Sequence, residues 1–152
     1  MKIASILENQ KIEKRVAITP EIAKKYISLG FEVTISENYG SHLGISDEEY
    51  NELGVSTSND EKDIIMNADI IVQLGLLNDN KNSFLKENQI FIGVLNPYEN
   101  KEIIDNLVKK NINTFSLELL PRITRAQSMD ILSSQANLAG YKAVLESFAN
   151  FE

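Results

Sequence analysis

The chain contains no cysteine. Disulfides and thiol chemistry are therefore excluded, and the composition suits a reducing compartment. Histidine is nearly absent: His42 stands alone, too little for a histidine-based metal site, and no metal is expected. Positive charge is in deficit, with Lys+Arg 15 against Asp+Glu 22 and a net charge of −7. A nucleic-acid footprint needs clustered Lys and Arg, so no nucleic acid is expected. No apolar run reaches the roughly 18 residues of a membrane span, so no direct membrane insertion is expected. The opening MKIASILENQ has neither an apolar signal core nor a cleavage site, which makes a cytoplasmic location the expectation. A G-x-G-x-x-G phosphate loop is also missing. Gly40 and Gly44, within SENYGSHLGIS, lack its spacing and are assigned to turn geometry. His42 between them is assigned to the loop rather than to base catalysis.

What is present is an alternation of strand and helix signals, in 152 residues that suit one domain with a full core. KIASIL (2–7) is a first strand. Thr19 then caps a helix with Pro20 at its first position; Ile22, Ala23, Tyr26, Ile27 and Leu29 form its apolar stripe, and Gly30 ends it. FEVTI (31–35) is the second strand. Ser46 with Glu49, and Ser58 with Glu61, form capping boxes for short helices over 47–53 and 59–66. ADIIVQL (68–74) and QIFIGVL (89–95) are nearly all apolar, as strands covered on both faces should be. A turn and short helix lie between them, and Asn96-Pro97 stops the second. A helix over 101–110 turns Ile103, Ile104, Leu107 and Val108 inward and is capped by Asn111; 112–115 is a fifth strand. The alternation predicts an α/β domain: a mainly parallel five-stranded sheet in the order 2-1-3-4-5, a flavodoxin/Rossmann-like three-layer sandwich.

The stretch PRITRAQSMDILSSQANLAGY (121–141) is decorated differently. Residues 126–140 carry one charged side chain, Asp130, where the chain's 24% average implies three or four. On a helix running from about Ala126 to Phe148, Gln127, Asp130, Ser133, Ser134 and Asn137 share a sector of roughly 120°. Met129, Leu132, Ala136 and Ala143 take the opposite side. A solvated face usually carries Lys and Glu in i,i+4 pairs. A neutral polar face suits either a helix–helix seam or the gripping of a ligand, with Arg122 and Arg125 just before it. A helix of this length, with no closing element after it, is expected to lead into a neighbouring domain absent from the chain.

Three stretches carry a family resemblance: EKRVAITPEIAKKYISLGFEV with its E-x-R-V-A-x-T-P opening, the strands ADIIVQL and FIGVLNP, and PRITRAQSMDILSSQANLAGYKAV. Over essentially its whole length, 1–152, the chain resembles the N-terminal domain shared by alanine dehydrogenase and the alpha subunit of proton-translocating NAD(P) transhydrogenase. RITRAQSMDILSSQANLAGY is the specific part and is similar to the transhydrogenase branch. Alanine dehydrogenases carry a lysine and a histidine where this chain has Gln73 and Asn96. Arg15 either holds a substrate carboxylate, as its counterpart in the dehydrogenases does, or is a structural ion-pair partner.

The resemblance implies part of an NAD(H)-binding component, in which hydride passes from NADH to NADP⁺ and proton translocation is coupled to it. NAD(H) belongs to this component and NADP(H) to a partner. The implied partners are an NAD-binding half, membrane and NADP(H)-binding subunits, and a second copy in a homodimer. Location is then on the cytoplasmic face of the inner membrane, peripheral through those subunits. In the family, the residues matching Arg122, Gln127, Asp130 and Ser133 lie near the nicotinamide ring. Gln127 and Asp130 are thus expected to position the ring, with no catalytic acid or base. The chemistry agrees, because the cofactors carry the reaction and the protein supplies orientation. A carboxamide offers one acceptor and two donor hydrogens, which Gln127, Asp130 and Ser133 can match, while Arg122 can tether Asp130 or a phosphate. Two alternatives remain: an alanine dehydrogenase-like amino-acid dehydrogenase, and a non-enzymatic α/β dimerisation module with the neutral face as its seam.

Overall fold

Strand β1 spans Lys2–Ser5, β2 Glu32–Ser36, β3 Ser56–Ser58, β4 Ile70–Val72, β5 Ile90–Gly93 and β6 Asn113–Ser116 in a computed structural model that describes residues 1–151. All neighbouring pairs are parallel, in the order β3-β2-β1-β4-β5-β6. The register sets Ile3 beside Val33 on one side and Ile70 on the other, and Ile71 beside Phe91. Without β3 the order is the expected one. The added edge strand is Ser-Thr-Ser, too short and too polar for a hydrophobic pattern to reveal, and it pairs only with β2.

Helices α1 (Pro20–Ser28), α2 (Asp47–Glu52), α3 (Glu61–Asn67), α4 (Asp79–Asn82) and α5 (Lys101–Lys109) connect the strands, and α6 (Ile131–Ala149) closes the chain. Successive strand residues face opposite sides of the sheet, so two cores form. One holds Ile6, Ile65, Ile71, Phe91 and Leu107. The other holds Ile3, Ile18, Val33, Ile35, Tyr39 and Tyr50. This is the expected three-layer arrangement. Among the described residues, no helix is long and apolar enough to cross a membrane.

Two expected helix starts need correction. Thr19 caps α1, and the Ser46–Glu49 capping box of α2 is complete. The expected Ser58–Glu61 box does not form, because Ser58 is the last residue of β3. Asp60 caps α3 instead, accepting from Asp63 N–H at 3.0 Å. The long helix begins at Ile131, not near Ala126. Residues Thr124–Met129 form a 3-10 helix, and Asp130 between the two is extended, with ψ 93°. Asp130 is itself the N-cap of α6 and accepts from Ser133 N–H at 2.9 Å. Aspartate is among the strongest N-cap formers, and its carboxylate ends one helix by starting the next.

Candidate functional site

Parallel strands put all their carboxyl ends on one edge, and the strand order reverses between β1 and β4. Ligands of such sheets sit outside the carboxyl ends at that reversal. Here the reversal is filled by a polar network of the chain itself. Tyr39 Oη accepts from the backbone N–H groups of Ala17 (3.0 Å) and Ile18 (3.1 Å) and lies 2.6 Å from Ser5 Oγ. The Ser5 hydroxyl donates to Gln73 Oε1 at 2.7 Å, and Ile6 N–H donates to the same oxygen at 2.9 Å. With the Ser5 proton committed to Gln73, the Tyr39 hydroxyl donates to Ser5. Gln73 Nε2 donates to Ile6 O at 3.1 Å and to Glu8 Oε1 at 3.3 Å. Apart from the two Ile6 bonds, the donors run one way, from the backbone of residues 17–18 through Tyr39, Ser5 and Gln73 to the Glu8 carboxylate. Gln73 thereby prolongs the β1–β4 pairing with its side chain, meeting both backbone groups of Ile6.

Glu8 ends the network and seals the turn after β4: its Oε1 accepts from Leu74 N–H at 2.6 Å and Gly75 N–H at 3.4 Å. Burial pushes its carboxyl above the ordinary 4.5, against the lowering effect of those two N–H groups. Beside it lies a crevice of about 460 Å³, lined by Glu8, Asn9, Glu61, Gln73 and Lys81 among others. A Lys81–Glu61 ion pair of 2.7 Å forms part of its wall. At the next strand, Gly93 permits a close approach: a Cβ there would stand 2.6 Å from the Gln73 carbonyl oxygen.

Arg15 is engaged nearby in a bidentate pair with Glu13, through Nε (2.8 Å) and Nη2 (2.6 Å). Their mutual bonding holds the Glu13 carboxyl below its usual range and lifts the guanidinium. His42 joins two loops, with Nε2 at 2.7 Å from Lys14 O and Nδ1 at 3.1 Å from Gln10 Nε2.

The second polar group lies where the chain leaves β6. A 3-10 turn at Leu117–Leu119 leads to Arg122, then to the 3-10 helix carrying Gln127, then to Asp130 and Ser133 at the start of α6. Arg122, Gln127 and Ser133 are exposed and Asp130 is half-buried. Asp130 and Ser133 are joined: besides the cap, Ser133 Oγ donates to Asp130 Oδ2 at 2.7 Å. These two bonds, and then the Arg122 charge, hold the Asp130 carboxyl below its ordinary 3.8. Among the described residues, no carboxylate is within ion-pair distance of Arg122, so the expected tether to Asp130 is through space only. Gln127 and Ser133 belong to different helices, and the single row expected of one continuous helix does not exist.

The alanine dehydrogenase/PNT N-terminal domain model matches residues 6–139. The chain belongs to this family. Within it, the chain is 46% identical over 151 residues to the first piece of the NAD(P) transhydrogenase alpha subunit of Rickettsia prowazekii, covering 97% of this chain and 39% of that one. To the subunit piece of the same name from Rhodospirillum rubrum it is 37% identical over 156 residues, covering 99% and 41%. The transhydrogenase crystal structure from Sinorhizobium meliloti superimposes with a TM-score of 0.89 at 38% identity, covering 99% of this chain and 45% of that one. This member of the alanine dehydrogenase/PNT family thus spans about two-fifths of the curated relatives it matches.

Family membership makes two positions worth locating. Gln73, set against a dehydrogenase lysine, is 2% exposed and wholly committed to the β1–β4 network. Asn96, set against a histidine, sits in a left-handed turn with φ 44°, its N–H donated to Glu118. Ser5, Glu8, Tyr39 and Glu118 escaped sequence reasoning. Glu8 alone had a signal: a carboxylate three residues past a buried strand lies where strand-end N–H groups lack partners.

Proposed function

We propose that this chain is part of the NAD(H)-binding component of a proton-translocating transhydrogenase and that Arg122, Gln127, Asp130 and Ser133 hold the nicotinamide end of the dinucleotide. The observation that carries the reading is the state of the run at residues 122–133. Its polar groups are exposed, and Asp130 and Ser133 are locked to each other rather than to the body of the domain.

The residues fit one end of the cofactor and not the other. Gln127 offers a donor and an acceptor to a primary amide. Asp130 keeps free lone pairs after accepting from Ser133, and Arg122 keeps its donors. Strand-end N–H groups, which would cradle a pyrophosphate, are taken: Leu74 and Gly75 by Glu8, Leu95 and Asn96 by Glu118. A separate NAD-binding half therefore supplies the phosphate grip, and NADP(H) lies on a partner component. The bound nicotinamide supplies the redox chemistry, and this chain's residues orient it without donating or removing a proton. Exposed Leu138, Tyr141, Leu145 and Phe148 along α6 support burial of that helix in a homodimer with its partner domains. Attachment to the membrane is peripheral, through partner subunits.

Two measurements test the reading. In an assembled transhydrogenase, Gln127→Asn and Asp130→Asn slow hydride transfer strongly while NADH affinity changes little. Asparagine still caps α6, so the second change tests the carboxylate and not the helix. Full turnover in both variants refutes the assignment. Titration calorimetry of this chain alone with NADH gives weak binding or none, and micromolar affinity would contradict the division of labour.

A further inference from the structure

We infer that Glu118 is a positioning residue: its carboxylate ties the Arg122–Asp130 run to the end of β5 and thereby sets where that run stands. The inference rests on the ring-holding reading above and deepens it.

Glu118 lies in the 3-10 turn between β6 and the run. Oε2 accepts from Leu95 N–H at 3.3 Å, and Oε1 accepts from Asn96 N–H. Both donors sit just past β5, where Asn96 turns left-handed and the ladder has ended. Asn100 Nδ2 closes the same turn from its other side, donating to Leu95 O at 3.0 Å.

No other polar bond does this work. Among the described residues, these two are the only hydrogen bonds or ion pairs that join residues 118–151 to residues 1–115. All other bonds of the segment are local, from Leu120 N–H on Leu117 O to Asn150 N–H on Glu146 O. Apolar anchorage is thin as well: Ala126 is the one buried side chain between Leu117 and Phe151 among the described residues. With one buried methyl group and the half-buried Leu117, Leu120 and Ile131 as its apolar contacts, the run has in the clamp its one directional anchor to the sheet. Carboxylate-to-N–H bonds are short and directional, so they fix position as well as contact. Placement matters for a residue that orients a reacting ring, because a misplacement near 1 Å costs on the order of a hundredfold in rate.

The test uses the assembled transhydrogenase. Glu118→Gln turns one acceptor oxygen into a donor facing a backbone N–H. Hydride transfer should fall by about tenfold or more with NADH affinity within about threefold, and amide exchange over residues 119–130 should accelerate while that of α1 does not. Glu118→Asp, which keeps both acceptors, should recover much of the rate; equal loss in both variants with α1 exchange also raised would mark general unfolding and overturn the inference. Full turnover in Glu118→Gln, with Asp130→Asn slow, overturns the inference alone. Full turnover in both overturns the ring-holding reading and this inference with it.

Discussion

Gln73 and Gln127 carry the same amide, and the molecule treats them in opposite ways. Gln73 is buried at the strand-order reversal with both ends bonded: Oε1 to Ser5 and Ile6, Nε2 to Ile6 and Glu8. Gln127 is exposed on a 3-10 helix. Ser5 and Glu8 bond directly to Gln73, whereas Ser133 and Asp130, near Gln127 in sequence, bond to each other. The difference teaches where binding capacity resides. A ligand gains little from polar groups already satisfied by the fold, and displacing such a network leaves buried groups unpaired. At the reversal, where this topology usually binds, the polar groups are taken up by the fold, whereas the run beyond β6 keeps its groups exposed, which favours the proposed site.

Replacement of the two glutamines should break that comparison most sharply. Gln73→Leu leaves both Ile6 backbone groups unpaired in the interior and the Ser5 hydroxyl with Tyr39 as its remaining partner, a loss of about 3–4 kcal/mol. Gln127→Leu removes no bond within the fold and should stay within about 0.5 kcal/mol. Urea unfolding of both variants decides it; a Gln73→Leu loss under about 1 kcal/mol would mean that the network does not hold β1 to β4. Tyr39→Phe is the next largest. It keeps the buried ring but leaves the N–H groups of Ala17 and Ile18 without their acceptor, for about 1–3 kcal/mol in the same measurement. A wild-type midpoint would show that the segment 17–18 finds other partners.

The two regions are not equally legible in the sequence. Buried strands announce themselves through apolar runs such as ADIIVQL, and Thr19-Pro20 and Ser46-x-x-Glu49 mark helix starts. The parallel α/β class follows from alternation and the five-strand order is the commoner one for that class, whereas β3, three polar residues on an edge, carries no apolar signal. The network is illegible because it joins residues 34 and 68 apart, Ser5 to Tyr39 and to Gln73, and no local spacing records such pairs. The unusual composition of 126–140 is visible, but its geometry is not. A helical period runs straight through Asp130, although Asp130 followed by Ser133 already offers a cap and the hydroxyl to bond it.

The carboxylates at the ends of the two clusters sharpen the comparison through pH, with the smallest expected effects. Glu8 is lifted above 4.5 because burial outweighs its hydrogen bonds. Above 4.5 the unfolded chain has released this proton while the native state still holds it. Stability from this site is therefore full below 4.5 and falls as pH rises through the native value. Asp130 is depressed below 3.8 by its bonds to Ser133. Its contribution is present above 3.8 and falls as pH drops through the native value, because the unfolded chain binds the proton first. The two slopes have opposite sign and separate windows. Glu8→Gln keeps an acceptor for all three donors, since Leu74, Gly75 and Gln73 all use Oε1. It should leave the fold intact, match or exceed wild-type stability at neutral pH, and flatten the decline above 4.5. Asp130→Asn should flatten only the decline below 3.8. Urea unfolding between about pH 3 and pH 7 measures both slopes. If Glu8→Gln instead weakened the protein at neutral pH, the negative charge itself would be holding the turn after β4, and the reversal would be an anion-stabilised site rather than a desolvated one.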